Sequence, residues 1–143
     1  MSRLLRAALI VPALTTVAVA QEDARKVTEL LQGEWKIVFF SKAGDETPKE
    51  ELAGAKAVFA GEKLTVTFGK KDDETTFKLD PKASPPAIDI IPGKNPKNLV
   101  VKGIYKLEKD RLTVCFGPDE SPRPAEFKAG KAASLMVLEK VKK

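Results

Sequence analysis

The chain has 143 residues, a formal net charge of +5 and 43% apolar residues, figures that suit one ordinary globular domain. It has no histidine and one cysteine, Cys115, which excludes a His-oriented serine or cysteine nucleophile, His-ligated zinc and an intramolecular disulfide. Acidic residues are scattered among the lysines, and beyond Arg6 the only arginines are Arg25, Arg111 and Arg123, so nucleic acid is not an expected partner.

The first twenty residues read as an address. Arg3 and Arg6 form a positive start, Ala7 to Val19 is apolar, and Ala18-Val19-Ala20 is a small-x-small cleavage site. The run is shorter than a membrane span requires. The expectation is an exported protein, periplasmic or extracellular, whose mature chain runs from Gln21 to Lys143 as one domain of 123 residues with no membrane span after cleavage. A domain of that size can bury a sufficient core without covalent staples.

In chain order, Val27, Leu30 and Leu31 share a helical face, and Gly33 is placed to stop that short helix. Trp35, the only tryptophan, opens a strand through Phe40 in which Trp35, Ile37 and Phe39 share one face. Thr47-Pro48-Lys49-Glu50 has capping-box spacing and predicts a second short helix that ends at Gly54. From Ala55 the period becomes two. Strands are predicted at Lys56–Phe59, Lys63–Phe68, Thr75–Leu79, Ile88–Ile91, Leu99–Leu107, Leu112–Phe116 and Ser134–Glu139. Polar turns fall at Gly69–Asp73 and Lys109-Asp110, and Pro-rich breaks at Pro81–Pro86 and Gly117–Gly130. About eight short strands with brief connections predict an all-β fold, an antiparallel barrel whose interior holds side chains or one small ligand.

A family resemblance lies in the order of the short motifs. Leu31-Gln32-Gly33-Glu34-Trp35 is followed by Ala57-Val58-Phe59, Phe77-Lys78-Leu79-Asp80, Ile88-Asp89-Ile90, Gly103-Ile104-Tyr105, Leu112-Thr113-Val114-Cys115-Phe116 and Arg123-Pro124-Ala125-Glu126-Phe127. In this order the chain resembles the lipocalin-like domain of unknown function that recurs in planctomycete bacteria. The resemblance implies a lipocalin-like barrel of calycin type in which Trp35 closes one end under a basic side chain from near the last strand. Lys140 and Lys142 are candidates by position. The resemblance implies no activity.

No catalytic residues, metal ligands or cofactor are expected. Asp72-Asp73 and Asp119-Glu120 read as solvated turns, and no run has calcium-loop spacing. Gly33 and Trp35 read as structural, and Cys115 as a buried, inert thiol among apolar neighbours. Phe39, Phe68, Phe77, Tyr105 and Phe116 occupy alternating positions and either fill the barrel or line a cavity for an apolar ligand. Arg123 lies between two prolines in a stiff loop, able to grip an anion, to cap the barrel or to pair with Glu126. Two functions follow: a non-catalytic, monomeric protein that binds a small apolar or amphipathic molecule, or an envelope-associated protein-interaction module with a packed barrel.

Overall fold

The computed structural model describes residues 23–93, 99–118 and 121–142. The segment read as a signal, residues 1–20, lies outside the described residues. Helix α1 covers residues 23–31. The other elements are β1 (Gly33–Lys42), β2 (Asp45–Glu46), α2 (Lys49–Leu52), β3 (Lys56–Ala60), β4 (Lys63–Phe68), β5 (Lys71–Asp80), β6 (Ala87–Pro92), β7 (Val101–Glu108), β8 (Arg111–Phe116) and β9 (Ser134–Lys140). All neighbouring strands are antiparallel. Pairing of β1 with β9 closes β1 and β3 to β9 into an eight-stranded barrel, with β2 as a short extra strand on β1. No described helix is long and apolar enough to cross a membrane.

Alternation sets what the barrel encloses. Leu64, Phe77, Ile88, Tyr105, Leu112 and Leu138 point inward and belong to one buried cluster, while their strand neighbours face out. Helix α1 closes one end and contributes Leu31, with no solvent exposure, and Val27 to the cluster. Gln32, just beyond it, exchanges two hydrogen bonds with Gly61 in the β3–β4 turn. Asp23, at its start, pairs with Lys82 in the β5–β6 connection.

The end of α1 explains why Trp35 stands where it does. The last four carbonyls of a helix have no partner within it. Here each finds one. Gln32 Nε2 donates to Thr28 O and the Gln32 amide to Glu29 O. Lys140 Nζ donates to Leu30 O at 3.0 Å, and Trp35 Nε1 to Leu31 O at 2.8 Å. The Lys140 ammonium also favours the negative end of the helix dipole. Gly33 follows the helix end by one residue, in the place expected of it. Its φ of +114° turns the chain from α1 into β1, a backbone conformation side-chain-bearing residues rarely adopt.

Three local expectations are corrected. The capping box does not form: α2 starts at Lys49 with Pro48 at its N-cap and no side-chain cap. Thr47 is held back by its own amide, which donates to Phe40 O at 2.8 Å and extends the β1–β2 hairpin. That hairpin was not foreseen; its turn residues Ala43 and Gly44 both take positive φ, the requirement of a tight two-residue hairpin. The third correction concerns Gly69–Asp73, which is not all turn. Lys71 to Glu74 continue β5 to the rim, paired to Thr65–Phe68, and lack the apolar alternation that would reveal a strand.

Candidate functional site

The barrel is packed at the α1 end and hollow at the other. At the packed end Trp35 is fully buried and meets Phe59 edge to face at 6.4 Å, and Phe59 meets Phe77 in the same way at 5.3 Å. The ammonium of Lys140 stands 5.5 Å from the centre of the Trp35 ring on the outer side. Of the two basic side chains near the end of β9, Lys140 therefore covers Trp35, while Lys142 pairs with Asp110. Burial, and then the charge of Asp80, pushes the Tyr105 phenol up to about 12 from its ordinary 10.0.

Above that plug lies a cavity of about 1150 Å³ to which all eight barrel strands contribute. Its floor and walls are apolar: Phe59 and Leu64 below, Val66, Ile90, Val114 and Met136 around the middle, Phe40, Phe68 and Phe116 higher up. Its rim is charged. Lys42, Lys71, Asp72, Asp73 and Glu74 border it, and none of them takes part in an ion pair among the described residues. Asp72 instead accepts a hydrogen bond from the Thr67 hydroxyl at 2.7 Å.

The five aromatic candidates fall in three places. Phe68 and Phe116 line the cavity. Phe77 and Tyr105 face inward but belong to the packed end and do not border the cavity. Phe39 borders neither, and the cause is a β-bulge. Ile37 pairs with Leu138 and Phe39 with Val137, so Val38 is an extra residue on β1. One extra residue reverses the alternation beyond it, and Phe40 rather than Phe39 turns into the barrel. Val38 looks like its neighbours in sequence, so nothing in the residue order signals it.

Arg123 and Cys115 belong to a different surface. Arg123 donates to Gly103 O at 2.9 Å and Ile88 O at 3.3 Å and pairs with Asp89 at 2.8 Å, not with Glu126. It thereby clasps the β8–β9 connection over the outer face of β6 and β7. Under this strap Ala87, Ile104 and Cys115 lie side by side in register, buried although they point away from the barrel interior. The Cys115 thiol approaches Lys128 O at 3.7 Å. The strap forms a second, small core outside the barrel. Among the described residues no three His, Cys, Asp or Glu side chains converge as they would to hold a metal ion.

No protein-family model, curated protein or solved structure matches this chain. The functional reading therefore rests on the barrel and its cavity.

Proposed function

We propose that the chain is an exported, non-catalytic lipocalin-like protein that binds one small amphipathic molecule in the hollow half of its barrel. The observation that carries the reading is the cavity of about 1150 Å³, apolar in its depth and charged at its rim. Ligand sites combine an apolar lining with a few polar groups that fix orientation, and this gradient matches a molecule with an apolar body and a polar end. Export is the part of the proposal that rests on the pattern of residues 1–20. The alternative, a docking module acting through its outer face, is less well supported. Among the described residues only Leu30 and Val141 are large apolar side chains left exposed, too few for an apolar patch of docking size.

The test is titration with a polarity-sensitive naphthalene sulfonate dye, followed by displacement with straight-chain fatty acids and amines. Saturable one-to-one uptake that is weakened at least about tenfold by Val114→Trp, which puts a large ring among the cavity-lining side chains, is the expected result. Uptake that ignores Val114→Trp would place the dye elsewhere and remove the proposal.

A further inference from the structure

The barrel wall has a window in it. Strand β3 begins at Lys56, whose partner on β1 is Lys36, so beyond that point β1 has no β3 beside it; β2 pairs with Ser41 and Lys42 at the rim, and the opening lies below it, between Ile37 and Phe40. On the other side Lys56 pairs with Thr67, which leaves Phe68 of β4 beyond the end of β3. The space is covered from outside by residues 47–55, a segment tied to β1 by the Thr47 amide to Phe40 O and by the Ile37 amide to Ala55 O. Helix α2 in that segment has no side-chain cap, and Leu52 is its one buried residue.

Beside this segment is a second hollow of about 520 Å³, open to solvent and bordered by Thr47, Glu50, Glu51 and Ala53. Phe40 and Phe68 border both this hollow and the barrel cavity. Their rings lie 5.4 Å apart at 31°, so they form the partition between the two spaces. Rotation of two side chains would join them, whereas opening the wall where strands pair would break ladder hydrogen bonds.

We propose that this window is the entrance through which apolar solutes reach the barrel cavity, with Phe40 and Phe68 as the gate and α2 as its outer lip. The proposal deepens the binding function above and rests on it for its purpose. An apolar group passing over the rim must displace water from Lys42, Lys71, Asp72, Asp73 and Glu74, and stripping water from charges is unfavourable. The side window has Glu50 and Glu51 at its outer lip, but two phenyl rings at the gate itself.

The experiment measures access to the cavity without a ligand. Met136, which lines the barrel cavity, is replaced by cysteine in a Cys115→Ala background and reacted with neutral methyl methanethiosulfonate. Val66→Cys serves as a second reporter. Ala53 borders the outer hollow and not the barrel cavity, and Ala53→Trp obstructs that hollow with an indole. It is expected to slow labelling by about tenfold, within the range over which association rates vary among variants of one site. Phe40→Ala and Phe68→Ala are expected to speed labelling, and Lys71→Trp at the rim to leave it unchanged. The proposal is overturned if Ala53→Trp has no effect, or if Lys71→Trp is the variant that slows labelling. Dye binding by the Ala53→Trp protein separates the two claims. Slower association and dissociation at an unchanged Kd support the gate in a binding protein. The same labelling pattern in a protein that takes up no dye supports the entrance and removes the binding function.

Discussion

Trp35 makes two attachments that a change to phenylalanine separates from simple ring packing. Trp35→Phe removes the indole N–H that satisfies Leu31 O at the end of α1, in a place where both residues are fully buried. Leaving a buried acceptor unpaired costs about 1–3 kcal/mol. The smaller ring also leaves a void, worth roughly 1 kcal/mol at about 24 cal/mol per Å³ of residual cavity. The Lys140 contact persists in weakened form, a loss of a few tenths of a kcal/mol at an exposed site. The expected loss is therefore about 2–4 kcal/mol. Urea denaturation followed by far-UV circular dichroism reads it, since the only tryptophan is gone. With m near 2 kcal/mol/M the midpoint should fall by about 1–2 M at unchanged m. Lys140→Met is the comparison, because it removes only the ammonium and its exposed bond to Leu30 O, and it should lose about 1 kcal/mol or less. A Trp35→Phe loss below 1 kcal/mol, or a larger loss from Lys140→Met, would refute the claim that the indole N–H anchors the helix end.

Three further outcomes are expected. Arg123→Ala should release the strap, lower stability by about 1–2 kcal/mol given the half-exposed Asp89 pair, and make the buried Cys115 thiol react readily with a disulfide reagent; a thiol as slow as in the parent protein would count against the clasp. Val114→Trp should reduce dye affinity by at least about tenfold, or 1.4 kcal/mol, with stability nearly unchanged, because the new ring enters existing space; a large loss of stability would mean the cavity is not there. Tyr105 has a folded pKa raised to about 12 against 10.0, so its contribution is complete below pH 10 and is lost as pH rises from there towards 12. Stability of the parent protein relative to Tyr105→Phe should decline over that interval, and a constant difference between the two would contradict the buried, neutral phenol.

The barrel was legible because its period-two pattern is strong in Leu64, Val66 and Phe68 and again in Leu112, Val114 and Phe116, where one face is apolar and the other is not. The site was legible only in part. Phe68 and Phe116 follow the alternation of uninterrupted strands and reach the cavity. Phe39 follows it too, but the pattern is broken by Val38, an apolar residue between apolar residues. The rim end of β5, Lys71 to Glu74, escaped notice because its partners supply main-chain bonds and the rim supplies solvent, so no apolar residue is required there. Thr47 carried a helix-cap signal, but its amide is taken by Phe40 of the hairpin. Tertiary pairing outweighed the local preference.

The outer core under the strap shows a different limit. Cys115 is buried as its residue type led one to expect, but Ile104 beside it lies on a strand face that alternation assigns to solvent and is fully buried too. What covers them is the irregular strap that holds Arg123 and Lys128, with no periodicity to read. The contact depends on where Arg123 finds Asp89, thirty-four residues away in sequence, and no spacing rule reaches that far.

The most direct test of the central claim is native mass spectrometry of the protein made in its own host and purified without detergent. The account predicts a reproducible additional mass of a few hundred daltons that is lost on denaturation and absent from Val114→Trp. The mass of the polypeptide alone, under conditions that preserve a known barrel–ligand complex, would contradict a ligand resident in the barrel.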